Sequence, residues 1–208
     1  MEVDTWLAFV AASAVLLVIP GPTVLLVVSY ALGQGWRTGL PIAAGVALGD
    51  FTAMTLSMLG VGALLTTSAV LFTALKWIGA SYLIWLGIKL WRSAGELNAA
   101  PRTEKVSPAR MLGHAWLVTA LNPKSITFFV AFLPQFLNPA SDCITQMTVI
   151  EATFLALAFA NAMAYAFVAS RARGFSLRPR MMSAVNKTGG ALLIGAGLAA
   201  AASHTARN

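Results

Sequence analysis

Pro20-Gly21-Pro22 stands in the middle of an otherwise unbroken apolar run, residues 6–32. A proline inside a helix removes a backbone donor and clashes with the preceding turn, at about 3 kcal/mol or more. Two prolines flanking a glycine therefore break the helix rather than bend it. In lipid, a broken backbone survives only where protein buries it or where it lines a cavity. A second interruption, Asn122-Pro123-Lys124, lies inside a later apolar run, residues 111–137.

The surrounding composition sets their solvent. Of the 208 residues, 58% are hydrophobic and only 10% charged, against about 25% charged in soluble domains. The mean hydropathy is +0.77. A transmembrane helix needs roughly 20 apolar residues, and several stretches qualify. The expectation is an all-α membrane protein with six transmembrane helices, at residues 6–32, 39–65, 70–90, 111–137, 144–170 and 185–202. Helices 1 and 4 are the ones broken at proline. The whole of residues 1–208 reads as one integral membrane domain, with halves of about 1–95 and 106–208 joined by a polar linker.

Charge placement orients the segments. Arg37 separates the first two, Lys89, Arg92, Arg102, Lys105 and Arg110 the third and fourth, and Arg171, Arg173, Arg178, Arg180 and Lys187 the last two. Eleven of the fourteen basic residues thus fall on one side, which the positive-inside rule makes cytoplasmic. Both termini are then outside, and the linker is cytoplasmic. Trp6 and Trp77 fall at the outer interface and Trp36, Trp91 and Trp116 at the inner one, where indole rings keep a wet N–H. Three segments per half make the two halves inverted repeats, each opening with a broken helix. Such pairs of interrupted helices point to a transporter binding site.

Other classes lose ground on the same residues. The net charge of +7 sits in short loops rather than on a basic helix or an aromatic RNA-binding motif, so no nucleic-acid partner is expected. Cys143 is alone, and His114 and His204 are far apart, so neither disulfide nor metal-ligand spacing arises. Glu2 and Asp4 replace the basic start of a cleavable signal, and the first run exceeds a signal's apolar core. No hydrolase, Walker or Rossmann motif is present; an enzyme is not expected, nor is a cofactor.

The residues at the breaks carry the candidate chemistry. Asn is a favoured helix cap and Pro a favoured first helical residue. Asn122-Pro123 and Gly21-Pro22 therefore each start a half-helix in mid-membrane, with free N–H groups and a positive dipole end. Such ends suit an anionic group like a substrate carboxylate, and Lys124 adds positive potential. The plainer alternative is a pair of proline kinks in packed helices. Asp50, preceded by Gly49, lies mid-way along the second segment, where a carboxylate costs roughly 2.5–3.5 kcal/mol and needs a partner. Lys124 is the basic residue at similar depth. Asp50 reads either as a structural ion pair or as a coupling or substrate-amine group. Glu151 and Asn161 are candidate lining residues, with a snorkelling position and an interhelical hydrogen bond as their alternatives. Glycines recur at four-residue spacing (Gly35/Gly39, Gly45/Gly49) and cluster again at Gly189, Gly190, Gly195 and Gly197. Small residues of this kind allow close helix approach, with a homodimer face as a second use.

These pieces, in order, resemble a known family. Pro20-Gly21-Pro22 leads to Ser29-Tyr30-Ala31-Leu32-Gly33-Gln34-Gly35-Trp36-Arg37-Thr38-Gly39-Leu40, then Gly49-Asp50 and Leu75-Lys76-Trp77-Ile78-Gly79-Ala80-Ser81-Tyr82-Leu83. Asn122-Pro123-Lys124 continues through Phe128-Phe129 to Leu133-Pro134-Gln135-Phe136, and a glycine-rich helix follows Asn186. Over nearly its whole length the chain is similar to the LysE/RhtB family of amino-acid exporters. The resemblance implies an inner-membrane carrier that exports amino acids or related metabolites, driven by an ion gradient, and a complete chain. The family's motifs fall on Pro20, Gly21, Pro22, Gly49, Asp50, Asn122, Pro123 and Lys124. A metal-ion exporter of similar architecture and a non-transporting membrane scaffold are the alternatives to that reading.

Overall fold

The computed structural model describes residues 2–67, 106–138 and 141–171, together with isolated helical positions between 70 and 92 and between 187 and 198. Most of the expected third and sixth segments, Lys76 and most of the linker therefore lie outside the described residues. The elements are α1 (Val3–Val18), α2 (Pro22–Gln34), a 3-10 turn (Trp36–Thr38), α3 (Gly39–Thr67), α4 (Pro108–Ala120), α5 (Pro123–Phe132), a second 3-10 turn (Leu133–Gln135) and α6 (Cys143–Arg171).

Among the described residues, two helical stretches are long and apolar enough to cross a bilayer. Trp36–Gly60 has 25 residues and a mean hydropathy of 1.5, and Cys143–Arg171 has 29 residues and 1.7. At about 1.5 Å per residue, both exceed the ~30 Å hydrocarbon core. The broken runs supply two more spans if each bent pair counts as one. Val3–Val18 meets Pro22–Gln34 at 56°, and Pro108–Ala120 meets Lys124–Gln135 at 49°. Bends of this size at proline are the expected consequence of the missing donor and the ring clash.

Local chemistry ends and starts each helix. Ser107 caps α4 by accepting from the Arg110 N–H at 3.4 Å, and Pro108 follows it as the first helical residue. Asp142 opens α6 by accepting from the N–H and hydroxyl of Thr145. Those bonds hold its carboxyl below the usual carboxylate range. Gly35 closes α2 at φ 89°, a left-handed conformation that glycine adopts without penalty.

α3 packs most extensively on α4 and α6. Glycines let it approach α4. A methyl on Gly49 would stand 2.6 Å from Thr119 Cβ and 2.7 Å from the Trp116 carbonyl, and one on Gly45 would stand 2.8 Å from Ala115 Cβ. The Gly45/Gly49 spacing is thus a packing face between α3 and α4. Bonds between polar side chains tie the helices further: Thr55 donates to Glu151 at 2.6 Å, Trp116 to Thr52 at 3.2 Å, and Trp6 to Thr153 at 3.1 Å. An aromatic cluster fills the space between α1, α5 and α6. Phe9 meets Phe136 edge-on at 5.3 Å, and Phe129 meets Phe154 at 4.9 Å. Edge-to-face contacts of this kind favour one fixed arrangement.

Candidate substrate site at the facing helix breaks

Both breaks have the same local construction. α1 ends at Val18; Gly21 then runs extended (φ −144°, ψ −173°), and Pro22 is the first residue of α2. α4 ends at Ala120; Asn122 is extended and caps α5 by accepting from the Lys124 N–H at 3.1 Å, with Pro123 first in that helix. Pro20 occupies the connection between α1 and α2. In each case proline is placed where its lost N–H would have had no helical partner.

A helix end leaves its last carbonyls unpaired, which is costly away from water. At the end of α1, side chains from two other helices take up four consecutive carbonyls. Lys124 Nζ donates to the carbonyls of Leu16 at 3.0 Å and Ile19 at 2.7 Å. Asn161 Nδ2 donates to that of Leu17 at 3.0 Å, and Tyr165 Oη to that of Val18 at 2.6 Å. Asn161 and Tyr165 are one turn apart on α6 and share a face. Lys124 belongs to the first turn of α5, where the dipole disfavours a cation. Its stem carries the ammonium to the negative end of α1 instead.

The second break is tied back to the first. Asn122 Nδ2 donates to Thr23 Oγ1 at 3.1 Å, and the hydroxyls of Thr23 and Thr119 are 3.3 Å apart. Thr23 and Lys124 hold the same position, second in α2 and second in α5. Each reaches across to the opposite break.

Between the breaks lies a cavity of about 30 Å³. The first turns of α2 (Thr23, Val24) and α5 (Lys124, Ser125) line it, with Gly21, Asn122, Asp50 and the α6 residues Asn161 and Tyr165. Val27, Val46, Ala158 and Ala162 supply apolar wall. Asp50 is 2% exposed and Asn122 3%. Asp50 and Lys124 face the same space, yet no ion-pair contact within 4.0 Å joins them among the described residues. The ammonium is directed to the α1 carbonyls instead. The Asp50 carboxyl has no hydrogen-bond partner among the described residues and lines the cavity.

The structure thus brings together Gly21, Asp50, Asn122, Lys124 and Asn161, with Pro20, Pro22 and Pro123 shaping the backbone around them. Gly49 and Glu151 lie apart from the cavity lining, one packed on α4 and the other bonded to Thr55. Thr23, Ser125 and Tyr165 are lining residues that the sequence reading passed over. A polar residue directly after each proline start, and a tyrosine four residues after Asn161, were the signals available.

Comparison with known proteins agrees over most of the chain. A family model described as LysE type translocator matches residues 14–204. An uncharacterized membrane protein of Vibrio cholerae serotype O1 is 34% identical over 198 residues, covering 95% of this chain and 97% of its own length. A homoserine/homoserine lactone efflux protein of Salmonella typhimurium is 34% identical over 203 residues, covering 97% and 98%. A leucine efflux protein of Enterobacter sp. is 34% identical over 150 residues, covering 72% and 71%. No solved structure matches. With broken helices, apolar spans and a family match from residue 14 to residue 204, the chain belongs to the LysE type translocator family.

Proposed function

We propose that this protein exports amino acids, or small metabolites built like them, across the inner membrane by secondary transport coupled to an ion gradient. The observation that carries this reading is the cavity between the facing breaks, where a buried carboxylate and a lysine ammonium share one apolar-walled space. A zwitterion needs both signs of partner at close range. The first turns of α2 and α5 suit its carboxylate, and Asp50 suits its ammonium. The relatives named for homoserine, homoserine lactone and leucine efflux support the substrate class. Homoserine and its lactone have an ammonium in common but not a free carboxylate, which makes the amine the group to recognise.

The architecture that fits this reading has six spans in two inverted halves, with both termini outside. Thr23 and Lys124, equivalent in the two half-helices, support the inverted relation. At about 30 Å³ the cavity has room for about one water, whereas ligand pockets run to ~300–1,000 Å³. Loading therefore requires the halves to move apart, as in rocking around a midplane site.

The test is a toxicity-rescue screen of amino acids and analogues, followed by efflux from preloaded proteoliposomes with and without an imposed proton gradient. Export of at least one amino acid, accelerated by the gradient, is the expected result. Protection against none of them, with protein present in the membrane, rejects the exporter reading.

A further inference from the structure

We infer that the carbonyl end of α1 is the binding site for the substrate's ammonium, and that Lys124 fills that site as a tethered stand-in until a substrate amine displaces it. The inference rests on the exporter reading for its biological meaning but on geometry for its chemistry. Leu16 and Ile19 present their carbonyl oxygens to one primary ammonium, at 3.0 and 2.7 Å. That ammonium comes from the chain itself. The helix dipole adds negative potential at this end, and Asp50 brings a carboxyl group to the same cavity. Asp50 is 2% exposed and has no hydrogen-bond partner among the described residues.

Such a site is selective for a primary amine. Carbonyl oxygens and a carboxylate can only accept hydrogen bonds, and an alkylammonium offers three donors on a compact charge. Lys124 enters from the first turn of α5, across the backbone of Gly21. A Cβ built on Gly21 would stand 3.5 Å from Nζ and 3.6 Å from Cδ. The lysine stem thus runs through the space between the breaks. Withdrawal of its ammonium from the carbonyls opens that space and frees one positive charge beside the first turns of α2 and α5. The freed charge then faces the end where a substrate carboxylate would rest. One exchange of ammonium for ammonium keeps the α1 carbonyls satisfied throughout, so the break is never left with orphaned acceptors.

The test is equilibrium binding to purified protein in lipid nanodiscs, using leucinamide (amine only), 4-methylpentanoate (carboxylate only) and leucine. Displacement predicts that leucinamide binds the wild type and 4-methylpentanoate does not. Lys124→Met removes the competitor, and leucinamide should bind at least tenfold more tightly. Lys124→Arg retains the charge with a side chain that grips carbonyls through more donors, and leucinamide should bind several-fold more weakly. Simple charge repulsion by residue 124 would instead leave the arginine variant equal to the wild type, and that equality overturns displacement. Unchanged leucinamide affinity with lost leucine affinity in Lys124→Met overturns it too, because Lys124 would then be a carboxylate partner only. If the methionine variant does not fold, the arginine variant and the wild-type probe pair decide. Binding is read without transport, so an amine site that exports nothing separates failure of the exporter reading from failure of this one.

Discussion

The Lys124 ammonium lies 2.7 Å from the Ile19 carbonyl oxygen, so the first turn of one half-helix holds down the last turn of another. Its bond to Leu16 makes the contact bidentate from a single Nζ. Asn161 and Tyr165 complete the hold from α6. The four carbonyls at this break, from Leu16 to Ile19, are thereby each supplied with a side-chain donor.

Removal of either α6 donor tests how much that hold is worth. Interhelical hydrogen bonds in membranes average about 0.6 kcal/mol, and an orphaned buried acceptor costs about 1–3 kcal/mol. Tyr165→Phe and Asn161→Ala should each lower the unfolding temperature in detergent by a few degrees. The double variant should fall short of the sum, because both donors secure the same four-residue segment. Melting curves that coincide with the wild type would remove these residues from the support of the break.

Two glycine substitutions should fail in opposite ways. A side chain at Gly49 meets Thr119 Cβ at 2.6 Å and backbone atoms of Trp116 and Ala120, so Gly49→Val forces α3 off α4. Overpacking of this kind costs typically about 1–3 kcal/mol, and the expected readout is a lower yield of monodisperse protein on size exclusion. Gly21→Ala adds a methyl at ordinary contact distance from Lys124, and its φ and ψ suit any residue. It should fold normally and export more slowly, since the methyl enters the cavity proposed to receive the substrate.

The contrast between these glycines marks what the sequence could disclose. The breaks were legible because proline removes a donor wherever it stands, and the observed helix ends fall within a few residues of the expected ones. Asp50 and Lys124 were legible because charge in an apolar run is rare. The two share one cavity lining without an ion-pair contact within 4.0 Å, and where the ammonium bonds instead was not legible. Lys124 bonds to backbone carbonyls of Leu16 and Ile19, and every residue has a carbonyl, so no side-chain pattern could announce that choice. Tyr165 was hidden for a related reason: in an apolar run a tyrosine reads as ordinary filling until its hydroxyl finds Val18. Glu151 was singled out for its charge, yet three-dimensional packing gives it Thr55 and leaves it off the cavity wall.

Asp50→Asn separates a structural carboxylate from a working one. The amide is isosteric and needs no counter-charge, so the variant should insert and melt close to the wild type. Export should fall at least tenfold, because an amide oxygen holds an ammonium far less strongly than a carboxylate and carries no proton. Efflux from loaded proteoliposomes, normalised to protein, provides the measurement. Export at the wild-type rate would take Asp50 out of the mechanism.

Topology can be checked with the chain's single cysteine. Cys143 is the first residue of α6 and is partly exposed, whereas Arg171 closes the same helix where a basic stretch of sequence begins. Charge bias puts the first end outside and the second inside. A membrane-impermeant maleimide should therefore label Cys143 in intact cells, and Ser170→Cys in a Cys143→Ser background only after permeabilisation. Asn208→Cys in that background should label from outside if an even number of spans separates the termini. Labelling of Asn208→Cys exclusively from inside would leave an odd number of crossings, and the two halves could not then be inverted three-span repeats.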